Sequence, residues 1–105
     1  MEEYQRTAEQ MATDVRSKVI LDLRKEQEYR LGSCPGAVNL WWEELEQKLK
    51  TDGIEGLAFS KEKPVYLLCY TGETSDEYAQ YFRKNGYEAY SIVEGYRGYL
   101  RWMVE

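Results

Sequence analysis

The stretch from Pro64 to Gly86, PVYLLCYTGETSDEYAQYFRKNG, constrains the fold more than any other. Val65 to Leu68 is apolar at every position, the pattern of a short strand buried on both faces, and such strands belong to parallel sheets covered by helices. From Ser75 onward the spacing is helical, with Tyr78, Ala79, Tyr81 and Phe82 sharing one broad face, until Asn85-Gly86 stops the helix. A strand, a glycine-containing loop and a helix in that order form half of a βαβ unit.

The rest of the chain repeats this alternation. Thr7-Ala8-Glu9-Gln10 has capping-box spacing, which predicts a short helix over 8–13. Val19 to Leu23 reads as a second buried strand and Lys25 to Tyr29 as a turn or two of helix. Gly32 to Gly36 is a turn, and Ala37 to Leu40 a minor strand. Glu43 to Lys50 is helical, with Leu45 and Leu49 four apart and Glu44 placed to pair with Lys48. Thr51-Asp52-Gly53 ends it, 56–63 is irregular, Glu88 to Val93 is a further strand, and Tyr96 to Val104 closes the chain as a helix. The expected fold class is α/β, a parallel sheet with helices on both faces. Trp41-Trp42 and the ten tyrosines are expected to serve core packing more than a binding platform.

Cys69 stands where the strand at Val65 gives way to the loop Tyr70-Thr71-Gly72-Glu73-Thr74. A cysteine below a helix N-terminus lies near free backbone N–H groups and the positive end of the helix dipole, which favours the nucleophilic thiolate. The competing reading is an inert thiol buried at a strand end. The chain has no histidine and only two cysteines, Cys34 and Cys69, without CxxC spacing. Cysteine–histidine dyads, serine triads, histidine metal ligands and a four-thiolate zinc site are thereby excluded. Activation of Cys69 falls to amides, dipoles or cations. A net charge of −5 without a basic stripe argues against nucleic acid and anionic membranes as partners. The acidic, polar N-terminus and the lack of a long apolar run make cytoplasmic the expected location.

Asp22-Leu23-Arg24, Glu28-Tyr29, Gly32 to Asn39, the Cys69 loop, Glu94-Gly95 and Trp102 follow one another in the order and spacing of rhodanese-like domains. The chain resembles that family, with its single-domain sulfurtransferases, over nearly its whole length. The resemblance implies a three-layer sandwich, one domain over 1–105, with a central five-stranded parallel sheet and the cysteine loop at the carboxyl end of a central strand. It implies Cys69 as the catalytic residue and Tyr70, Thr71, Gly72, Glu73, Thr74 and Ser75 as the substrate-binding loop. The implied reaction is two-step sulfur transfer, with no cofactor and no metal. Cys69 takes the sulfane sulfur of a small donor such as thiosulfate or a persulfide, and passes it to a thiol, cyanide or an acceptor protein. The phosphatases of this fold have a loop one residue longer, closed by arginine. No arginine occurs between Cys69 and Phe82, which argues against phosphate chemistry.

Departures from the family pattern carry their own expectations. Tyr70 and Thr74 occupy positions where many members have a basic residue, and Glu73 adds a negative charge, so thiosulfate is expected to be a poor donor. Arg97 is the nearest candidate for a replacement cation, or else a solvated surface arginine. Tyr96, in place of a second glycine, is expected to narrow the pocket mouth. Ser33 replaces a structural histidine, and Asp22 and Arg24 are expected to make fold-stabilising hydrogen bonds. The alternative function is a non-catalytic rhodanese-like binding or regulatory module.

Overall fold

The computed structural model describes all 105 residues. In chain order the elements are β1 (Gln5–Arg6), α1 (Ala8–Thr13), β2 (Val19–Asp22), α2 (Glu26–Leu31), β3 (Val38–Asn39) and α3 (Trp42–Asp52). A 3₁₀ turn (Ile54–Leu57) leads to β4 (Val65–Leu68), α4 (Glu73–Lys84), β5 (Ala89–Ile92) and α5 (Gly95–Val104). The five strands form one sheet in the order β1-β5-β4-β2-β3, every pair parallel.

Although the central strands are apolar throughout, their side chains divide by parity between two layers. Leu21, Leu23, Val65, Leu67, Cys69 and Ala89 pack with Leu45 of α3 and Ala79 and Phe82 of α4. Ile20, Tyr66, Leu68, Tyr90 and Ile92 face the other way, toward Ala8 and Met11 of α1 and Tyr99 of α5. Each fully buried side chain of this size contributes roughly 1.5–3 kcal/mol. The α/β class, the three layers and the five parallel strands agree with the sequence reading. Cys34 and Cys69 fall in opposite layers and both thiols are free.

Several boundaries differ. The edge strand β1 has no counterpart among the segments read from the residues. The strand expected over 37–40 shrinks to Val38–Asn39, and the helix expected from Glu43 to Lys50 runs from Trp42 to Asp52. Most consequential for the site, α4 begins at Glu73 because Gly72, at φ +108°, turns the backbone directly into it. No helix is long and apolar enough to cross a membrane.

β4 pairs with β2 on one side and β5 on the other, and the chain leaves β2 toward β3 but leaves β4 toward β5. The connections therefore diverge above the carboxyl ends of β2 and β4, the position where open α/β sheets place their ligand clefts.

Candidate active site

Cys69 follows the last residue of β4 and is 7% exposed. The loop after it folds back, so the Gly72 N–H donates to Sγ at 3.1 Å. Ser75 Oγ lies 3.5 Å from the sulfur and 2.8 Å from Ser91 Oγ, and both serine hydroxyls reach the Gly72 carbonyl, at 3.2 and 3.4 Å. Beneath the sulfur there is thus a closed hydroxyl cluster between α4 and β5. The backbone N–H groups of Tyr70, Thr71, Glu73, Thr74 and Ser75 have no acceptor within the chain. Unsatisfied donors at the start of a helix are the groups that hold anions.

The opening of α5 fixes the loop from the side. Gly95 has φ +55°, and a Cβ there would lie 2.3 Å from the Cys69 carbonyl oxygen and 2.7 Å from that of Tyr70. Only glycine permits this approach. It lets the Tyr96 N–H donate to the Cys69 carbonyl at 2.8 Å. Glu94 precedes it at φ +60°, so the chain takes two left-handed residues to enter the helix. Trp102, at the far end of α5, packs near Tyr99 with ring centroids 6.0 Å apart.

The carboxyl end of β2 is held by a buried ion pair. Arg24 Nη2 donates to Asp22 Oδ2 at 2.8 Å, Arg24 Nε to Oδ1 at 3.0 Å, and Ser33 Oγ to Oδ2 at 2.7 Å. Arg24 Nη2 also reaches the Gly32 carbonyl at 2.7 Å, tying β2 to the end of α2. The stabilising role expected of Asp22 and Arg24 has this geometric basis, and Ser33 takes part in it. Tyr96 lays its ring on the Arg24 guanidinium, 4.0 Å from centroid to carbon, instead of narrowing the mouth above Cys69. Cys34 lies under this network, where burial and then the Asp22 charge push its thiol up to about 12, and it is inert in the neutral range.

A cleft of about 220 Å³ opens above Cys69. Tyr70, Thr71, Glu73 and Thr74 form its loop side; Leu23, Arg24, Lys25 and Glu28 form its β2–α2 side; Trp41 and Trp42 close it from the start of α3. Lys25 Nζ stands 5.4 Å from the Trp41 ring centroid. The carboxylate of Glu28 beside Tyr70 holds that phenol above its ordinary value. Trp42 is 37% exposed and Trp41 half-buried, so the pair lines the cleft and is not the core packing expected of it. Arg97 sits in a neighbouring pocket of about 150 Å³ with Thr71, Glu94 and Arg101, across Thr71 from Cys69. The cations that the fold brings to the Cys69 cleft are Arg24 and Lys25. Lys25 escaped the sequence reading as a site residue, and Trp41 and Trp42 were weighed there as a binding platform but assigned to the core. Their signal was position, since each lies two or three residues beyond the carboxyl end of β2 or β3.

A five-stranded parallel sheet with its cysteine loop at the strand-order reversal defines an α/β domain whose ligand site is built on one thiol, a helix N-terminus and the ends of two strands. The sequence pattern of the rhodanese-like domain matches residues 4–102, and the chain belongs to that family. It is 30% identical over 88 residues to the adenylyltransferase and sulfurtransferase UBA4 of Meyerozyma guilliermondii; the match covers 83% of this chain and 20% of that relative's length. Among solved structures it resembles the human single-domain sulfurtransferase TSTD1 at 23% identity and a TM-score of 0.75, covering 95% of this chain and 97% of that one. A rhodanese-related protein of Thermoplasma volcanium superposes with a TM-score of 0.76 at 18% identity, covering 92% and 90% of the two chains. At these identities the two structures establish the fold.

Proposed function

We propose that this protein is a sulfurtransferase that carries sulfane sulfur on Cys69. The observation that carries the reading is the sulfur of Cys69 at the mouth of β4, bonded by the Gly72 N–H and neighboured by five backbone N–H groups without acceptors. Sulfurtransferase activity in the name of the UBA4 relative supports the same reading.

In the first half-reaction the Cys69 thiolate attacks the outer sulfur of the donor. With thiosulfate the donor's S–S bond breaks, its electron pair leaves with sulfite, and a new S–S bond leaves Cys69 as a persulfide. Negative charge then resides on the terminal sulfur, where the free N–H groups of the loop and the first turn of α4 stabilise it. Thr71, Thr74 and Ser75 supply hydroxyls beside them. In the second half-reaction an acceptor such as cyanide or a thiolate attacks that terminal sulfur. The persulfide bond breaks toward Cys69, restoring its thiolate.

The test is mass spectrometry of reduced protein after brief exposure to thiosulfate or a low-molecular-weight persulfide, for wild type and Cys69→Ser, followed by cyanide. The expected result is one added sulfur on Cys69, absent from the variant and released by cyanide as thiocyanate. If neither donor loads the wild type, the domain is a non-catalytic binding module.

A further inference from the structure

Resting on the sulfurtransferase reading above, we infer that Ser91 of β5 is a positioning residue for sulfur transfer, whose buried hydroxyl directs the Ser75 hydroxyl onto Cys69 Sγ when that sulfur carries negative charge.

Ser91 is out of character with its strand. All four residues of β5 are buried, and Ser91 shares the face of Ala89, which packs toward α4. A hydroxyl in such a place costs free energy unless it is bonded, and alanine would pack there without that cost. Ser91 Oγ has two partners, Ser75 Oγ at 2.8 Å and the Gly72 carbonyl at 3.4 Å. That carbonyl already accepts from the Asp76 N–H at 2.9 Å, so it is paired without any serine. The short contact is the one with Ser75, and Ser75 is the hydroxyl that reaches the sulfur, at 3.5 Å. Both serines are fully buried, and their hydroxyls bond only within this cluster.

Counting protons shows what the pair can do. Each hydroxyl has one proton to donate, and Ser75 has three acceptors in reach, the sulfur, the Gly72 carbonyl and Ser91 Oγ. While Cys69 is a neutral thiol or carries a transferred sulfur, Sγ is a weak acceptor and the Ser75 proton goes to an oxygen. When Sγ is charged it outcompetes both oxygens, and the Ser75 O–H turns to it. Ser75 Oγ is then free to accept, and the Ser91 O–H donates into it. A hydroxyl that accepts a hydrogen bond is the stronger donor. Ser91 thus supports the charge on the sulfur without touching it.

Charge arrives at Sγ in the second half-reaction. The electron pair of cyanide bonds to the terminal sulfur, the bond between that sulfur and Sγ breaks, and its electrons return to Sγ. Thiocyanate and the Cys69 thiolate each carry one negative charge away from the step, and no oxidant or reductant is consumed. The loop amides hold the terminal sulfur beforehand; the two hydroxyls receive the charge that develops at the leaving sulfur.

The experiment loads the full chain with excess thiosulfate or a low-molecular-weight persulfide, removes the donor, and follows thiocyanate release after mixing with cyanide in a single turnover at one pH. Mass spectrometry confirms one sulfur on Cys69 in each protein before mixing, so that all are compared from the same loaded state. Ser75→Ala should slow discharge about tenfold, the loss of a hydrogen bond to a charged group. Ser91→Ala should slow it about threefold, and the double variant should be no slower than Ser75→Ala to within about twofold, because Ser91 acts through Ser75. Ser91→Thr and Ser91→Val have one shape and differ in the hydroxyl, so the threonine variant should discharge about threefold faster than the valine variant even where Ser91→Ala does not fold. Wild-type discharge in Ser91→Ala, losses that multiply in the double variant, or equal rates in the threonine and valine variants overturn the inference and leave sulfur transfer intact. Failure of both donors to load the wild type overturns the sulfurtransferase reading and this one with it.

Discussion

At the scale of single residues, glycines decide where the thiol sits. Gly95 allows the start of α5 to press on the Cys69–Tyr70 peptide, and a methyl group there would overlap two carbonyl oxygens, at 2.3 and 2.7 Å. Neither oxygen belongs to a side chain that can swing away. Gly95→Ala therefore adds left-handed strain of roughly 1–2 kcal/mol to a steric clash, for a total loss of about 2–4 kcal/mol in urea unfolding. The same displacement should cut sulfur loading of Cys69 at least about tenfold under conditions where circular dichroism shows the variant folded. Unchanged unfolding and unchanged loading would show that the loop is not seated by α5. The sequence displayed this residue only as part of the Glu94-Gly95 pair. Its cause, a carbonyl from a loop some 25 positions earlier (95 − 70), is a tertiary contact that spacing does not contain. Lys25, and the choice between core and cleft for Trp41 and Trp42, were obscure for the same reason. A lysine after a strand and two adjacent tryptophans have no periodic signature, and they meet only because β2 and β3 end side by side.

Among the elements, those with strong local signals were legible and those held by their neighbours were not. The capping box at Thr7 forms as its spacing predicts, with Gln10 N–H donating to Thr7 Oγ1 at 3.1 Å and Thr7 N–H to Gln10 Oε1 at 2.8 Å. β4 was plain because four apolar residues in a row have few alternatives. β1, by contrast, is two polar residues whose strand character comes wholly from pairing with Ser91 and Ile92 of β5. The start of α4 was placed late because Glu73 and Thr74 read as loop, although Gly72 had already turned the chain. For α1 the cap supplies a measurable share of stability. Thr7→Ala removes the acceptor for Gln10 N–H and should cost about 1 kcal/mol. Ala8 and Met11 anchor α1 in the layer that does not contain Cys69, so its loss of order should stay local. Hydrogen exchange should quicken in 8–13 while the Cys69 loop and its sulfur loading are unaffected. Faster exchange in α4 would mean that the two layers are coupled more tightly than their packing implies.

Over the whole molecule, titratable groups on one side of the sheet link its separate elements and set the pH range of the fold. Asp14, at the end of α1 with its side chain 7% exposed, accepts from Arg16 Nη2 at 2.9 Å and from the Tyr66 hydroxyl of β4 at 2.7 Å. Arg16 also donates to Glu88 at 3.0 and 2.9 Å, just before β5, and Arg6 of β1 donates to Tyr66 at 3.0 Å. The Arg16 hydrogen bonds, against the opposing effect of burial and with help from Tyr66, hold Asp14 well below the usual carboxylate range; Arg16 and then Tyr90 lower Glu88 as well. Carboxylates depressed in the folded state contribute stability that is complete above their unfolded values and is lost as pH falls toward the folded ones. Stability should accordingly decline as pH drops below about 5. Opposite behaviour holds at the alkaline end. Burial and then the hydrogen bond to Asp14 push Tyr66 up to about 12, and burial pushes Cys34 and Tyr78 to about 12 too. These acids remain protonated in the fold but ionise earlier in the unfolded chain, so stability falls as pH rises past about 9, thiol first and phenols after. Urea midpoints measured from pH 3 to 11 should trace a plateau with a shoulder on each side. Asp14→Asn should flatten the acid limb and lower the neutral plateau; because Asp14 helps hold the Tyr66 phenol protonated, the phenol part of the alkaline decline should become shallower too, while the part due to Cys34 stays. Cys34→Ala should delay the alkaline decline without touching the acid side. An acid limb of the same slope in Asp14→Asn would mean that the carboxylates elsewhere on the surface, and not this network, govern acid unfolding.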